Sequence, residues 1–538
     1  MSLKKFAVVL MTASLVLNAA CSSCKKNDAA AKKDEQVFVF ANNGEPEYLD
    51  PALSQDQVSN NLTLNLFEGL TEYDPKDNSP IPALASSWDV SPDGITYTFH
   101  LRPEAKWSDG SALTASDFVY SWRRVVDPNT ASRYAQILYV VKNAEAINTA
   151  KITDLTQLGV TALDEHTLKV ELEHTTPYFT ALTNFPTYRP VKKDVIEKFD
   201  NKWTKPENMV CNGPFMLKEW IPQKQVVLVK NPYYWDAANV KLDKVVALAG
   251  DDLDTSLKLF QAGQIDFLYH LPPAKIPEIK ATSPDFHPSS LYATYYLSLN
   301  VKKAGLTDKR VRQALNYAID RDKLVQLTHR GLPSGFFVTP SPGYTPAENF
   351  KFDPDKARQL FAAAGYVNPS DFPTLTISYN TNEAHKVAME VVQSMLRENL
   401  GINVQLQNME FKVLLSARAN KDFEISRDGW TGDYADPSTF MELMMSGGTN
   451  NNTNWGNEQY DALVREAAAT MNQSKRQDLY RQAEHILVDE APIVVLYTYT
   501  GETMLNKRVS GFYPTSLDMH PLKFVSVAPK TMEASAKK

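Results

Sequence analysis

A short run in the last quarter of the chain places opposite charges around two glycines and an aromatic ring. The run contains Arg427, Gly429, Trp430, Gly432 and Asp433. A ligand that carries both an ammonium and a carboxylate could be bound by Asp433 and Arg427. Six residue steps of about 3.3 Å allow roughly 20 Å between them, enough to bracket a short peptide. The glycines would let backbone amides approach an extended ligand closely.

The same charges have a simpler interpretation. Charged surface side chains are common, so Arg427 and Asp433 could pair with each other or with surface charges. Trp430 could be a core residue, as most of the 24 Tyr and 24 Phe must be. Composition alone favours this structural interpretation.

His385 is a second candidate for contact with an anion. It falls in the first turn of a predicted helix that directly follows a predicted strand. Helix N-termini attract anions through their free amides and the helix dipole. A single histidine is more often a structural residue than a ligand, so both roles stay open.

The elements around these residues predict a parallel sheet. The pattern indicates a strand over 374–379, a helix over 383–399 and a strand over 402–406, with a further strand over 423–426. A strand–helix–strand unit makes its two strands parallel. Ligands bind beyond the carboxyl ends of such strands, so we expect His385 and the Arg427 run to lie at one rim.

Length and periodicity indicate several domains. The 538 residues exceed what one hydrophobic core supports, so two or three domains are expected. A strand over 36–41, a helix over 64–70, a strand over 96–101, a helix over 114–126 and a strand over 166–173 are predicted. The latter part of this region reads as a smaller α+β domain.

Signatures of common enzymes are missing from the sequence. It contains no G-x-S-x-G, H-E-x-x-H or P-loop, and no G-x-G-x-x-G between a strand and a helix. The nine histidines are scattered singly, none with a second His or Cys at ligand spacing, so no metal site is expected. We therefore predict a protein without catalysis and without a required cofactor.

The first residues resemble an export signal. Lys4 and Lys5 precede an apolar run over 6–17, and small residues lead into Cys21. Cys21 is the expected lipid-attachment residue, followed by a polar tether over 22–35. Cys21 and Cys24 could also form a redox pair, but the polar surroundings cannot fold around an active thiol. Removal of both lysines changes the formal charge from -7 to -9, which argues against nucleic acid as partner.

Four separated runs resemble one protein family. They are NNGEPEYLDP at 42–51, KWSDGSALTASDFVYSW at 106–122, VDPNTASRYA at 126–135 and RDGWTGDYADP at 427–437. Over 38–523 the chain resembles the periplasmic oligopeptide-binding proteins of bacterial ABC importers. The resemblance implies an α/β bilobal periplasmic-binding-protein fold of type II, with three domains, mixed sheets and a hinge.

The resemblance also implies domain limits and partners. Domain I would consist of 36–69, 194–290 and 503–530, domain II of 70–193 and domain III of 291–502. The protein would be a monomer that captures short peptides in the periplasm and delivers them to permease subunits in the inner membrane. A murein-tripeptide binder of the same family is the first alternative. A peptidase or chaperone-like lipoprotein is the second.

By the same resemblance, particular residues would bind the peptide. Asp433 would take its α-ammonium, and Arg427, Arg418 and His385 would take its carboxylate. Further peptide-binding positions are Gly429, Trp430, Thr431, Tyr134, Phe411 and Tyr499, with backbone groups from Glu45 to Tyr48, including Glu47.

Three features, at four positions, depart from the family pattern. His329 falls near a lysine that neutralises the carboxylate of longer peptides in close relatives. Ala293 and Thr431 occupy the places of a cysteine pair that some relatives carry, and Phe411 replaces a tryptophan. Peptide length preference and one pocket's shape are therefore expected to differ.

Overall fold

Strands and helices are interleaved along the chain in the computed structural model, which describes residues 35–529 except 43, 55, 251, 341–343, 348 and 449. The predicted export signal, Cys21, Cys24 and nearly all of the tether lie outside the described residues. The chain from Gln36 onward forms one compact unit. Within the described part, no helix has the length and apolar character needed to cross a membrane.

The α-helices are distributed along most of the described chain. Their bounds are α1 Gln57–Leu66, α2 Ala115–Val126, α3 Ala144–Asn148, α4 Phe179–Leu182, α5 Lys193–Phe199, α6 Leu253–Gln261, α7 Ile276–Thr282, α8 Lys309–Tyr317, α9 Arg321–Thr328, α10 Pro354–Ala363, α11 Glu383–Leu400, α12 Phe411–Ala419, α13 Ser438–Met441, α14 Glu458–Ala468 and α15 Gln473–Glu490.

The strands are distributed in the same way. Their bounds are β1 Val37–Ala41, β2 Thr71–Tyr73, β3 Pro80–Pro82, β4 Ala85–Val90, β5 Thr96–Leu101, β6 Val160–Ala162, β7 Thr167–Glu171, β8 Phe215–Ile221, β9 Gln225–Lys230, β10 Lys244–Leu248, β11 Phe267–Leu268, β12 Phe286–Leu299, β13 Leu332–Pro333, β14 Leu375–Asn380, β15 Val404–Met409, β16 Ile425–Thr431, β17 Ile493–Leu505, β18 Val509–Ser510 and β19 Ser526–Val527.

An eleven-stranded mixed sheet forms the framework of the molecule. Its strands follow the order β15-β14-β16-β12-β17-β11-β1-β10-β9-β8, and β13 pairs with β17. A separate four-stranded sheet has the order β4-β5-β7-β6. The mixed α/β architecture agrees with the predicted fold class.

Separate clusters of buried side chains form the core. One collects residues from 38–67, 191–269 and 505–527. A second is built from 52–188 together with Tyr434. Two further clusters are formed almost entirely by residues after 290. Segments distant in sequence therefore share one core, whereas the four-stranded sheet has its own.

The predicted strand–helix–strand unit is confirmed. Strands β14 and β15 are parallel, and β16 is parallel to β14 on its other side. The start of α10 carries signals that can be read from the sequence, since Asp353 accepts the Lys356 amide at 2.9 Å as the cap and Pro354 occupies the first turn.

The helix predicted over 64–70 is wrong. Helix α1 begins at Gln57, where the Asp56 carboxylate accepts the Ser59 amide at 2.8 Å, and it ends at Leu66. Beyond this point the backbone is extended, with φ of -126° and ψ of 148° at Phe67, and the chain packs tightly at Gly69. A Cβ on Gly69 would lie 2.5 Å from the Thr183 carbonyl oxygen. The apolar run 64–70 thus spans a helix end and a buried extended segment.

The strand predicted over 423–426 is displaced and longer than expected. It is β16, which begins at Ile425 and continues to Thr431, so most of the predicted ligand loop is strand. The reason is antiparallel pairing with β12, from Leu299 opposite Ile425 to Ala293 opposite Thr431. Because side chains alternate along a strand, Arg427 and Asp428 face opposite sides of the sheet.

Candidate functional site

The carboxyl ends of β14 and β16 lie at one edge of the large sheet, as their parallel pairing predicts. Asn380 ends β14, and its side-chain oxygen is 3.5 Å from Nη1 of Arg427 on β16. Helix α11 starts three residues after β14 and carries His385 in its first turn. The structure therefore brings the Arg427 and His385 segments together.

Arg427 is held by tyrosines. Its Nη2 donates to the Tyr499 hydroxyl at 2.6 Å, and its guanidinium lies 4.8 Å from the centre of the Tyr295 ring. Its Nε is buried without a hydrogen-bond partner. Among the described residues, no carboxylate forms an ion pair with Arg427, so its charge is available to an anionic ligand.

His385 contributes hydrogen bonding and shape more than charge. Its ring stacks on Tyr295 at a centroid distance of 5.6 Å, and its Nδ1 lies 3.0 Å from the Tyr295 hydroxyl. Burial, with the nearby charges of Arg427 and Arg330, lowers the pKa of His385 to about 3. The imidazole of the unliganded protein is therefore neutral at physiological pH.

Arg330 is a cation that the sequence reasoning missed. Its charge reaches His385, Tyr497 and Tyr499, and its Nε is buried without a hydrogen-bond partner. The following residue packs against Tyr497, where a Cβ on Gly331 would lie 2.3 Å from the ring. We expect Arg330 to act with Arg427 on a carboxylate.

The adjacent His329 is placed differently. It is exposed and ends α9 in the left-handed conformation, with φ of 55°. Within the described chain, no hydrogen bond or ion pair joins it to Arg427 or His385. The backbone turn at the end of α9 determines whether His329 or Arg330 faces the site. The periodicity of apolar residues in the sequence does not predict this turn.

Arg418 is already neutralised. Its Nη2 lies 2.9 Å from the Asp428 carboxylate, which also accepts hydrogen bonds from Ser298 at 2.9 Å and Asn452 at 3.0 Å. Asp428 faces the side of β16 opposite to Arg427. In the unliganded protein, Arg418 therefore differs from Arg427 in having a carboxylate partner.

Asp433 lies just beyond β16 as an unpaired anion. Its carboxylate accepts a hydrogen bond from the Tyr134 hydroxyl at 3.3 Å. Burial raises the pKa of Asp433 to about 6, against the opposing effect of that hydrogen bond. In the described structure neither Arg427 nor any other cation forms an ion pair with Asp433, so the two charges of the run do not neutralise each other.

A cavity of about 390 Å³ opens beside Asp433. Trp430 lines it and is fixed by its Nε1, which donates to Thr439 at 3.1 Å. Tyr134 stacks on Phe185 with ring centroids 5.5 Å apart. Other lining residues, which were not predicted, are Tyr178, Tyr434 and Glu442. They belong to segments that no motif connects.

The remaining predicted positions have varied settings. Gly429 is closely packed, because a Cβ there would lie 2.9 Å from the Tyr499 oxygen. Thr431 is exposed at the end of β16. Phe411 begins α12, and its side chain is outside the described part of the structure.

The predicted segment 45–48 uses some of its polar groups internally. The amides of Glu47 and Tyr48 both donate to the Ser59 hydroxyl, at 3.0 and 3.3 Å. The Glu45 carboxylate accepts the Trp220 indole N–H at 2.7 Å. Because these amides already have partners, we expect this segment to contact a ligand through its backbone carbonyls.

Asp433 lines the cavity just beyond β16, and Arg427 lies within the same strand; because neither forms an ion pair in the described structure, this segment suits a solute that carries both charges. In the described chain, no group of three or more His, Cys, Asp or Glu side chains could hold a metal ion. The chain belongs to the bacterial extracellular solute-binding proteins, family 5 Middle, whose model matches residues 79–452.

Relatives match over nearly the whole chain. The oligopeptide-binding protein OppA of Bacillus subtilis (strain 168) is 35% identical over 94% of this chain and 96% of its own length. The periplasmic oligopeptide-binding protein OppA of Salmonella typhimurium is 37% identical over 89% of this chain and 90% of its own.

A solved structure confirms the fold class. The murein tripeptide binding protein MppA of Escherichia coli has a TM-score of 0.78 and is 34% identical, over 92% of this chain and 99% of that chain. The predicted α/β bilobal fold of periplasmic binding proteins is therefore confirmed.

Proposed function

We propose that this protein captures short oligopeptides outside the cytoplasm and delivers them to the permease of an ABC importer. The carrying observation is that opposite charges without ion-pair partners lie at the carboxyl end of β16: Asp433 beside the cavity, and Arg427 next to Tyr499, whose surroundings also include the charge of Arg330. A free peptide carries one matching charge at each end. Charge complementarity at both ends gives orientation without dependence on the side chains between them.

Similarity supports the peptide as ligand. The two relatives named above are oligopeptide-binding proteins, and each aligns with most of this chain and most of its own length. We propose binding without catalysis and without a cofactor, by a monomer. We also propose a periplasmic location, as the name of the Salmonella typhimurium relative indicates for that protein. The lipid anchor that we propose at Cys21 rests on the sequence pattern.

The three-domain division is part of this proposal. The core cluster that joins 38–67, 191–269 and 505–527 supports a discontinuous domain I. The proposed limits at 290 and 502 fall inside β12 and β17. The register of these two strands shifts between Ser290 and Thr294, which makes this pair a suitable hinge.

A murein tripeptide is a second candidate ligand. Such a peptide carries more than one carboxylate, and two guanidiniums, Arg427 and Arg330, form no ion pair with a carboxylate among the described residues, although the charge of Arg330 reaches Glu502. The similarity to the murein tripeptide binding protein of Escherichia coli points the same way.

Calorimetry with trialanine and its blocked forms tests the function. We expect stoichiometric binding, with trialanine recovered intact, and a loss of about 100-fold in affinity when either the amino or the carboxyl end is blocked. Substitution Asp433→Ala should remove the effect of N-acetylation and leave the effect of C-amidation. Hydrolysis of the peptide, or equal binding of all three forms, would contradict the proposal.

A further inference from the structure

A second carboxylate lines the cavity beside Asp433. Glu442 follows α13, and its side chain is exposed to the cavity. Its Oε1 accepts a hydrogen bond from the Tyr178 hydroxyl at 3.1 Å. The peptide's α-ammonium accounts for Asp433 alone, so Glu442 has no role in the proposed function.

Glu442 has no cationic partner within the described chain. Arg476, whose charge reaches Glu442, is committed to Asp436 through two hydrogen bonds of 2.6 Å. Partial loss of hydration within the cavity raises the pKa of Glu442 to about 7, and the charge of Asp436 adds to this effect, whereas Tyr178 and Arg476 oppose it. A cationic group of the ligand would pair with the Glu442 carboxylate and stabilise its ionised form.

The described lining of the cavity contains no Lys, Arg or His. Its charged members are Asp433 and Glu442. A cavity with two carboxylates and one peptide ammonium would retain an uncompensated negative charge at neutral pH. A second ligand cation is the group that balances it.

Aromatic faces surround the same space. Tyr178 and Tyr434 stack with ring centroids 5.0 Å apart and an interplanar angle of 6°. Trp430 and Tyr134 line the cavity with them. Aromatic rings pack well against the methylene stem of a long basic side chain and attract its charged end.

We propose that Glu442 is a specificity-determining residue that binds the cationic side chain of a lysine or arginine at the first position of the peptide. The inference rests on the proposed function, with Asp433 as the partner of the α-ammonium of the same residue. The protein would therefore select peptides with a basic first residue while tolerating variation at later positions.

Two matched peptides test this inference. Lys-Ala-Ala and norleucine-Ala-Ala have first side chains of nearly the same shape, and only lysine carries the ammonium. We expect calorimetry at about pH 7.5 to show that the wild-type protein binds Lys-Ala-Ala about tenfold more tightly. Glu442→Gln should remove this difference by weakening the binding of Lys-Ala-Ala more than that of norleucine-Ala-Ala.

Glu458→Gln is the matched control, because Glu458 is an exposed glutamate outside the cavity lining. It should retain the preference for Lys-Ala-Ala. Equal binding of the two peptides by the wild-type protein, or equal weakening of both by Glu442→Gln, would overturn the assignment of Glu442 and leave peptide binding intact. Binding of neither peptide would overturn the proposed function and this inference together.

Discussion

At the scale of single residues, the site depends on charges that the protein itself leaves uncompensated. Asp433 and Arg427 each have neutral hydrogen-bond partners, Tyr134 and Tyr499. By contrast, Arg418 is paired with Asp428 on the opposite face of β16. An unpaired buried charge costs stability, and such costs are typical of binding sites that await a ligand.

Asp433 should make peptide affinity dependent on pH. Its raised pKa, about 6, means that an increasing fraction is protonated below that pH, and only the ionised form attracts an ammonium. We expect affinity to be highest near pH 7 and to fall below pH 6 by up to about tenfold per pH unit, and to fall again above about pH 8, where the peptide's α-amino group loses its proton. Asp433→Asn should bind about 100-fold more weakly at neutral pH and lack the decline at acidic pH.

Calorimetry across this pH range gives both results. The histidine of the site does not produce the same decline, because a pKa of about 3 keeps His385 neutral over the whole range in the unliganded protein. Parallel loss of affinity by the wild-type protein and Asp433→Asn would assign the pH dependence to another group.

Arg330 should matter more than its neighbour His329. Arg330→Gln removes a cation near Tyr499 and His385, so we expect about tenfold weaker peptide binding. The pKa of His385 should rise in this variant, which NMR titration can measure. His329→Gln is the matched control, and because His329 is exposed it should bind as the wild-type protein does. The reverse ranking of the two variants would contradict this placement.

At the scale of elements, β16 aligns the site. It runs from Ile425 to Thr431 against β12 in continuous register, and β14 lies on its other side. Its alternation directs Arg427 to the tyrosine cluster and Asp428 to Arg418. The chain leaves the strand at Gly432, whose amide donates to the Tyr292 carbonyl at 2.8 Å, and it turns from Asp433 onward.

Gly432→Ala should disturb this turn. A Cβ at Gly432 would lie 2.4 Å from the buried Tyr292 ring, which itself packs against Phe440 at 4.9 Å. We expect a loss of stability of about 1 to 3 kcal/mol, together with weaker binding because Asp433 and Trp430 are displaced. Thermal unfolding and calorimetry measure these effects.

Gly250→Ala provides the comparison. A Cβ there would meet no atom within 4 Å, and the residue is exposed. Its stability and affinity should stay close to those of the wild-type protein. Unchanged binding by Gly432→Ala would show that the turn tolerates the extra methyl group.

At the scale of the whole molecule, distant segments meet around the cavity. Tyr134 and Tyr178 come from the region whose core includes the four-stranded sheet, and they contact Asp433, Glu442 and Tyr434. Strands β12 and β17 join the two halves of the large sheet. A ligand bound between these segments would hold them together.

Peptide binding should therefore compact and stabilise the molecule. We expect a smaller radius of gyration by small-angle scattering on addition of trialanine. At a ligand concentration of 100 times Kd, the gain in free energy of unfolding should be about 2.7 kcal/mol, visible as a higher Tm. Asp433→Ala should show neither change at that concentration. If trialanine still compacted this variant, closure would not depend on binding of the peptide's ammonium.

The sequence by itself determined the local elements and the class of protein. The β14–α11–β15 unit follows from periodicity, and the caps Asp353 and Pro354 mark the start of α10, because these signals lie within a few residues of each other. Four motif runs identified the family, and the parallel strands predicted that His385 and Arg427 share one edge of the sheet. The domain limits and the peptide-binding roles stay predictions.

Only the tertiary structure decided which side chains meet. Strand β16 extends to Thr431 because β12 pairs with it, although more than 100 residues separate the two strands. The pairing of Arg418 with Asp428, the placement of Arg330 in place of His329, and the joining of Tyr178 to Glu442 have no local signal. Each depends on contacts between segments far apart in the chain, and sequence periodicity reports only on near neighbours.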